Sequence, residues 1–222
     1  LFQWEVSLRP LTGSGESGYT NTSEVKQAME ERLKLGCVVM AAGSAKRFGA
    51  NKLASQLRGR SLILRSLEAV PPEAFHQVVV VTQYPEIMRI VKEFHFASIL
   101  NDQPQEGLSR TIHLGLTALR DCDGVLFQVS DQPLLRRESV LALTEQWRLR
   151  PEGIAALGHG GVRGNPCIFP PTLFPELMAL TGDRGGSAVI RRHEDLLTLL
   201  EVPAEELYDV DTAEALKALE QE

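Results

Sequence analysis

The residue types with the clearest chemistry lie between positions 40 and 52, where the chain runs Met-Ala-Ala-Gly-Ser-Ala-Lys-Arg-Phe-Gly-Ala-Asn-Lys. The apolar run Cys37–Val39 before it predicts a buried strand, so a glycine-containing loop leaves that strand's carboxyl end. Such a loop presents backbone N–H groups to an anion, and Arg47 and Lys52 add two positive charges. We therefore predict a triphosphate-binding loop, the alternative being a basic surface turn.

A second chemical feature is Asp131, which follows the apolar run Gly124–Val129. Pro133 prevents the strand from continuing, so Asp131 is expected in the same crevice as the first loop. Magnesium takes oxygen ligands, typically one or two carboxylates plus phosphate oxygens. Asp131 is therefore predicted to bind Mg²⁺, the alternative being a turn aspartate bonded to its own backbone.

A third feature is the sequence Asp-Val-Asp-Thr at positions 209–212, just before a predicted helix. In an extended segment, Asp209 and Asp211 lie on one side and Val210 on the other. Asp and Thr are also residue types that cap helices, so one group can cap while another reaches a metal. We predict Asp211 as the second magnesium ligand, with capping as its alternative role.

These groups need elements to position them, and from Leu35 onward apolar runs alternate with amphipathic segments. The predicted strands are Gly36–Ala41, Gln77–Thr82, Ala97–Leu100, Gly124–Val129, Ile154–Leu157, Pro166–Phe169 and Leu196–Val202. The predicted helices are Ser61–Val70, Pro85–Phe94, Leu108–Leu119, Arg137–Trp147, Pro171–Leu180, Gly186–His193 and Thr212–Leu219. The uniformly apolar run Val78–Val81 is typical of a parallel strand covered on both faces. The pattern predicts an α/β fold with a doubly wound, mostly parallel sheet, whose ligand lies beyond the carboxyl ends of the strands.

The composition is that of a globular protein, with 43% hydrophobic and 23% charged residues and a net charge of −6. The negative charge argues against a nucleic-acid partner. The sequence has no apolar run of membrane-helix length and does not open on a signal sequence. Cys37, Cys122 and Cys167 lie far apart among apolar neighbours, which is typical of reduced core cysteines. We expect a cytoplasmic protein without a nucleic-acid or membrane partner.

Five segments together resemble the nucleotidyltransferases that attach a nucleotide to molybdopterin. They are the Ala-Ala-Gly…Arg-Phe-Gly…Lys loop at 41–52, Asp-Gln-Pro at 131–133, Gly-Asn-Pro at 164–166, Gly-Asp-Arg-Gly at 182–185 and Asp-Val-Asp-Thr at 209–212. The resemblance covers about residues 36–222. It implies a sheet of the nucleotide-diphospho-sugar transferase (Rossmann-like) type, Mg²⁺ as cofactor, and transfer of a nucleotide from CTP or GTP to a phosphorylated pterin.

The resemblance also implies residue roles. Arg47, Lys52 and Asp131 are implied as catalytic, and Asp131 also as a magnesium ligand. The implied nucleotide-binding residues are Ala41, Ala42, Gly43, Asn101, Gly107 and Ser109. The implied acceptor contacts are Arg163, Asn165, Asp183 and Arg184, with the glycine-rich segment 159–165 expected as a loop that shapes the acceptor pocket. Asn165 stands where many relatives have His, so no proton transfer is assigned there.

The base type follows from position 42. Relatives with Leu-Ala-Gly-Gly in the first loop resemble guanylyltransferases, whereas those with Ala-Ala-Gly resemble cytidylyltransferases. Ala41-Ala42-Gly43 therefore favours CTP, and the methyl group of Ala42 narrows the space for a purine.

Residues 1–35 match nothing in that family, and Thr12–Gly18 has the composition of a flexible linker. The chain begins at Leu1, which suggests a fragment of a longer polypeptide or a processed terminus. We predict residues 1–35 to be an N-terminal extension, a linker or the end of an upstream domain, and residues 36–222 to be the nucleotidyltransferase domain.

Two alternatives stay open. Within the same fold, the chain is a guanylyltransferase or transfers a nucleotide to a sugar or polyol phosphate. In a different class, it is a non-catalytic factor that binds the cofactor and delivers it to a molybdenum hydroxylase. A dehydrogenase is excluded because Gly-x-Gly-x-x-Gly is absent from the first loop, and a P-loop kinase because no Gly-Lys-Ser/Thr follows it.

Overall fold

Strands and helices alternate along the chain, as the apolar runs predict. The computed structural model describes residues 33–43 and 51–221. The strands are β1 (Leu35–Ala41), β2 (Gln56–Leu57), β3 (Arg60–Ser61), β4 (Gln77–Thr82), β5 (Ala97–Leu100), β6 (Gly124–Val129), β7 (Ile154–His159), β8 (Val162–Phe169) and β9 (Leu197–Glu201). The helices are α1 (Leu62–Glu68), α2 (Pro85–Glu93), α3 (Leu108–Ala118), α4 (Arg137–Leu149), α5 (Phe174–Met178), α6 (Ser187–Ile190) and α7 (Ala213–Gln221).

Seven strands form one sheet in the order β5-β4-β1-β6-β8-β7-β9. Neighbours pair in parallel except on both sides of β8, which runs antiparallel to β6 and to β7. The predicted doubly wound, mostly parallel α/β fold is confirmed. Strand β1 lies between β4 and β6, and it begins at Leu35, one residue before the predicted start.

The sheet separates two apolar clusters, one on each face. In β4, Val78 and Val80 belong to one cluster, whereas Val79 and Val81 belong to the other. This arrangement confirms that the strand is covered on both faces, and it explains why its sequence is uniformly apolar rather than alternating. Cys37, Cys122 and Cys167 are free and buried, as expected.

The segment 159–165 is not the predicted loop. Gly160 and Gly161 alone form the turn between β7 and β8, and both have positive φ, +58° and +77°. A two-residue turn of this kind requires φ > 0 at both positions, which glycine adopts without steric cost. Arg163 and Asn165 therefore lie on strand β8. Since β8 is antiparallel, its first residues lie at the sheet edge where the parallel strands end.

A short hairpin, β2–β3, was not predicted, because two-residue strands leave no periodicity. Its Leu57 joins a small third apolar cluster with Leu62, Val210, Leu216 and Leu219. This cluster fixes the segment before helix α7 against the rest of the fold. None of the helices in the described ranges is long and apolar enough to cross a membrane.

Candidate active site

The side chain of Lys52 joins the two acidic segments that the sequence singled out. Its Nζ lies 3.0 Å from Oδ2 of Asp131 and 3.5 Å from Oδ1 of Asp211. Lys52 opens a short 3-10 turn that is capped by Asn51, whose side chain accepts a hydrogen bond from Leu53 N–H. The lysine side chain is 14% exposed, so its charge is only partly screened by water. The structure thus places two predicted magnesium ligands around one cationic group.

The C-terminal acidic segment has the predicted alternation. Val210 is fully buried, whereas Asp209 and Asp211 are exposed on the opposite side. Thr212 caps helix α7, because its Oγ1 accepts a hydrogen bond from Ala215 N–H at 3.1 Å. The cap therefore does not use either aspartate, and both carboxylates remain available at the site.

Asp209 carries the one strongly shifted carboxyl of this cluster. Although the residue as a whole is exposed, its carboxyl has lost part of its water, and this desolvation raises its pKa to about 6. The negative charges of Asp131 and Asp211 raise it further, while a hydrogen bond from Gln132 and the charge of Lys52 act in the opposite direction. The charges of Asp131 and Asp211 thus act on Asp209, and a site with this excess of negative charge favours a bound cation.

The shifted pKa predicts a pH-dependent stability for the metal-free protein. Asp209 binds its proton more tightly when folded (pKa about 6) than at its ordinary value of 3.8, so its charged form opposes folding above pH 6. Asp209→Asn is expected to unfold at higher urea concentration than the wild type at pH 8. The difference should shrink as the pH falls from 6 towards 4, where the wild type is protonated too. Urea titrations in EDTA at both pH values measure this, and a gain that is the same at pH 8 and pH 4 contradicts it.

The start of the first loop is held by residues at the end of β4. Thr82 Oγ1, Gln83 Nε2 and the Tyr84 hydroxyl donate hydrogen bonds to the carbonyls of residues 41, 42 and 43, at 3.0, 2.7 and 3.2 Å. Because N–H and C=O point in opposite directions across a trans peptide, the N–H groups of Ala42 and Gly43 face away from these anchors. This geometry suits the predicted anion-binding role of Ala41, Ala42 and Gly43. Arg47 lies outside the described residues, as do residues 1–32 of the predicted extension.

The predicted nucleobase loop packs against the Gly-Asp-Arg-Gly segment. Gly107 has φ +84°, and a Cβ there would lie 2.5 Å from the Gly182 carbonyl, so only glycine fits. Ser109 N–H donates to Gly182 O at 3.0 Å. Asn101 is buried, with its amide donating to Thr111 and its Oδ1 accepting from Gln103 N–H. Asn101 therefore shapes the loop in this structure, and direct nucleotide contacts by Asn101, Gly107 and Ser109 stay predictions.

A pocket of about 90 Å³ lies beside this loop at the same edge of the sheet. Its walls include Met40 and Val129, which directly precede the first loop and the Ser130-Asp131 segment. The apolar side chains lining it also include Leu108, Ile112, Phe127, Phe169 and Leu177. Because Met40 and Val129 lead directly into the first loop and into the Ser130-Asp131 segment, the pocket lies close to both in the fold.

Polar groups line the same pocket. Arg163 and Asn165 both lie in its wall, and Arg163 Nη2 donates to Ser187 Oγ at 2.8 Å. A second nitrogen of the guanidinium donates to Gly164 O at 3.3 Å. The structure thus brings two of the four predicted acceptor contacts to the pocket. Asp183 and Arg184 lie exposed on the adjoining segment and do not line it.

The residues present fit a magnesium ion. In the described part of the chain, no three His, Cys, Asp or Glu side chains are arranged to enclose a metal by themselves. Asp131 and Asp211 nevertheless converge on one cationic group, the Lys52 ammonium. Mg²⁺ typically takes one or two carboxylates and completes its shell with water and phosphate oxygens. Asp131 and Asp211, with Asp209 beside them, supply this donor set.

Sequence reasoning missed the part that four residues play in the site. Gln83 and Tyr84 hold the first loop, but they follow β4 and belong to no motif. Asp209 was considered only as a competitor of Asp211, since the local pattern contains no information about its distance from Asp131. Gln132 was part of the Asp-Gln-Pro motif, and this membership was the available signal for its bond to Leu207 O.

Comparison with known proteins agrees with this geometry. Residues 37–196 match the family described as the MobA-like NTP transferase domain. The purine catabolism protein PucB of Bacillus subtilis is 27% identical over 190 residues, covering 80% of this chain and 91% of that protein. A 2-C-methyl-D-erythritol 4-phosphate cytidylyltransferase of Dehalococcoides mccartyi is 29% identical over 134 residues (56% and 57%). A probable molybdenum cofactor guanylyltransferase of Aquifex aeolicus is 30% identical over 115 residues (50% and 53%).

Solved structures share the fold. The crystal structure of Rv0371c from Mycobacterium tuberculosis superposes with a TM-score of 0.71 at 19% identity, covering 86% of this chain and 99% of that one. The CMP:2-keto-3-deoxy-manno-octonic acid synthetase complexed with CTP superposes with a TM-score of 0.65 at 15% identity, covering 85% and 97%. At these identities the likeness concerns the fold, and it agrees with the predicted nucleotide-diphospho-sugar transferase type.

Proposed function

The chain belongs to the MobA-like NTP transferase domain family and is a nucleotidyltransferase, and we propose that it transfers CMP from CTP to the phosphate of a molybdopterin-type acceptor with Mg²⁺ as cofactor. The observation that carries the proposal is the convergence of Asp131 and Asp211 on Lys52, beside the first loop. A cation held between carboxylates at the end of a strand, next to the backbone of a glycine-containing loop, is an arrangement that suits a metal-bound triphosphate.

The proposed reaction is an in-line displacement. An oxygen of the acceptor's phosphate attacks the α-phosphorus of CTP, a new P–O bond forms, the bond to the β-phosphate breaks, and pyrophosphate leaves. Lys52 holds its positive charge where negative charge develops, and Arg47 is proposed to do the same. When bound, Mg²⁺ supplies a Lewis acid and a template for the phosphates, held by Asp131 and Asp211. No side chain is modified, so the chain's main contribution is positioning.

The proposed preference for CTP rests on the limited space beside the first loop. Ala42 is buried (6% exposed), and its carbonyl is fixed by Gln83, so its methyl group cannot move aside easily. The names of the relatives do not agree on the nucleobase, since one relative above is named a cytidylyltransferase and another a guanylyltransferase.

Ala42→Gly is expected to raise the turnover of GTP relative to CTP by about tenfold, the effect of roughly 1.4 kcal/mol of relieved contact. The ratio of kcat/KM for the two nucleotides measures this under identical acceptor and metal concentrations. Ala54→Gly, at an exposed position of the next turn, serves as the matched control. A ratio that stays the same in Ala42→Gly contradicts the steric explanation.

The acceptor is proposed from the pocket beside the loop. Apolar walls with an arginine and an amide suit the edge of a flat heterocycle that carries hydrogen-bonding groups. An interior of about 90 Å³ takes up part of such a ring rather than the whole acceptor. The name of the Aquifex aeolicus relative supports a molybdenum-cofactor acceptor, whereas that of the Dehalococcoides mccartyi relative supports a polyol phosphate.

The test is pyrophosphate release from CTP or GTP with Mg²⁺, in the presence of molybdopterin, of methylerythritol phosphate, or of neither. Release from CTP that depends on molybdopterin is the expected result. Release that depends on methylerythritol phosphate assigns the chain to polyol-phosphate transfer, and release from GTP overturns the base assignment. Tight binding of molybdopterin without any release favours the factor that delivers the cofactor to a molybdenum hydroxylase.

A further inference from the structure

A buried carboxylate lies outside the groups discussed so far. Among the acidic and basic side chains of the described residues, Glu206 alone is buried, with 1% exposure. Burying a carboxylate is unfavourable unless hydrogen bonds replace the lost water. When apolar residues of similar volume replace a buried ion pair, the protein is often equally stable or more stable. The charge at position 206 therefore calls for a reason other than overall stability.

The partner of Glu206 is Arg136, at the start of helix α4. Oε2 of Glu206 accepts a hydrogen bond from the Arg136 backbone N–H at 3.1 Å, and Oε1 lies 3.7 Å from its guanidinium Nε. The neighbouring Glu205 also contacts the Arg136 guanidinium, at 3.4 Å, but its side chain is 56% exposed. The buried contact thus goes to the main chain of residue 136, whose position does not depend on a flexible side chain.

Two further hydrogen bonds join the same two segments of the chain. Gln132 Nε2 donates to Leu207 O at 3.2 Å, and Val210 N–H donates to Asp131 O at 2.9 Å. Segments 131–136 and 206–210 therefore lie side by side in opposite directions. The first segment carries Asp131, and the second carries Asp209 and leads into Asp211.

This pairing decides where the C-terminal carboxylates lie. The match to the family ends at residue 196, so the segment 206–211 is outside the matched range. Val210 is anchored by its side chain in the third apolar cluster and by its N–H on Asp131. At the other end, Glu206 is the group that holds the segment to the start of helix α4. Without it, the hydrogen bonds that remain between the segment and residues 131–136 are those of Gln132 and Val210 and the exposed Glu205–Arg136 contact.

We propose that Glu206 is a positioning residue, which holds the segment carrying Asp211 against Asp131 so that the Asp131 and Asp211 carboxylates meet one divalent cation. This inference rests on the proposed function for its metal. Glu206 acts by fixing how two main-chain segments lie against each other, and it does not contact the substrate.

The test compares Glu206→Leu with Glu205→Leu, two identical changes at adjacent positions that both contact Arg136. The first readout is the hydrogen-exchange rate of the Val210 amide, measured without metal. The second is the Kd for Mn²⁺, measured by electron paramagnetic resonance in the absence of nucleotide. In Glu206→Leu, exchange is expected to rise at least about tenfold and Mn²⁺ binding to weaken about 10- to 100-fold, the range found for groups that orient metal ligands. Glu205→Leu is expected to leave both within about twofold of the wild type.

Glu206→Gln provides the conservative variant, because its amide oxygen still accepts the Arg136 N–H. It is expected to restore most of the Mn²⁺ affinity, and it keeps the comparison possible should Glu206→Leu not fold. If neither Glu206 variant changes Val210 exchange or Mn²⁺ affinity relative to Glu205→Leu, the inference is overturned. Pyrophosphate release by the wild type decides the proposed function separately, so a failure of one is distinguishable from a failure of the other.

Discussion

Asp131→Asn is expected to lower kcat for pyrophosphate release by about 1,000-fold, the upper end of the effect of removing one charge-stabilising group. Asp131 has two tasks in the proposed reaction, since its carboxylate binds the metal and also holds Lys52 at 3.0 Å. Asparagine keeps the shape of the side chain but loses the charge, so both contacts weaken together. The N–H···O bond from Val210 uses the backbone carbonyl and is retained.

Steady-state kinetics at saturating CTP and acceptor measure this effect, together with the Mg²⁺ concentration at half-maximal rate. That concentration is expected to rise in Asp131→Asn. Asp121→Asn is the matched control, because Asp121 is highly exposed and lies before β6, at the opposite end of the strand. A loss of less than about tenfold in Asp131→Asn, with an unchanged Mg²⁺ requirement, excludes Asp131 as a metal ligand.

Lys52→Met is expected to lower kcat by about 100- to 1,000-fold, because it removes the positive charge placed where the α-phosphate becomes more negative. Methionine keeps most of the length and apolar stem of lysine, so the loss is assigned to the charge. The substitution also leaves Asp131 and Asp211 without their shared partner. Repulsion between these carboxylates is then expected to lower the melting temperature of the metal-free protein.

The melting temperature of Lys52→Met also tests whether Mg²⁺ binds where the lysine ammonium lies. Because a divalent cation replaces the missing charge, Mg²⁺ is expected to raise the melting temperature of Lys52→Met more than that of the wild type. Thermal unfolding with EDTA and with Mg²⁺ measures the difference, and Lys92→Met, at an exposed position of helix α2, is the matched control. Equal Mg²⁺-induced shifts in Lys52→Met and wild type would contradict a shared cation position.

The kcat of the double variant Asp131→Asn/Lys52→Met is expected to fall by less than the product of the two single effects, since the residues act as a pair.

Much of the fold was predictable from local sequence. Strands β4, β5 and β6 have the predicted bounds, because apolar runs bounded by turn residues define a buried strand without reference to the rest of the chain. The orientation of Val210 followed from the two-residue repeat of extended backbone. The hairpin at 159–165 was predicted as a loop because glycines at Gly160 and Gly161 are equally compatible with a tight turn and with irregular structure.

The candidate site was predictable in its residue types but not in its partners. Lys52 and Asp131 were identified separately, and at a sequence separation of 79 residues no local pattern indicates their 3.0 Å contact. The burial of Glu206 left no signal in the sequence, where it is one of two adjacent glutamates in a polar segment. The direction of β8, which brings Arg163 and Asn165 to the site, was also not readable from the sequence, because strand patterns have no direction.

The sequence by itself determined the family, the parallel α/β class, and the loop and carboxylates that make nucleotidyl transfer the expected chemistry. The fold class, the loop and the carboxylates follow from periodicity, turn residues and motif spacing, which are properties of neighbouring residues, whereas the family follows from the resemblance of five segments to known sequences. Only the tertiary structure decided which carboxylates share the charge of Lys52, that Thr212 rather than an aspartate caps helix α7, and that Glu206 joins the C-terminal segment to helix α4. Those pairings follow from the packing of the whole chain, in which residues distant in sequence are brought within hydrogen-bonding distance by the burial of apolar groups elsewhere.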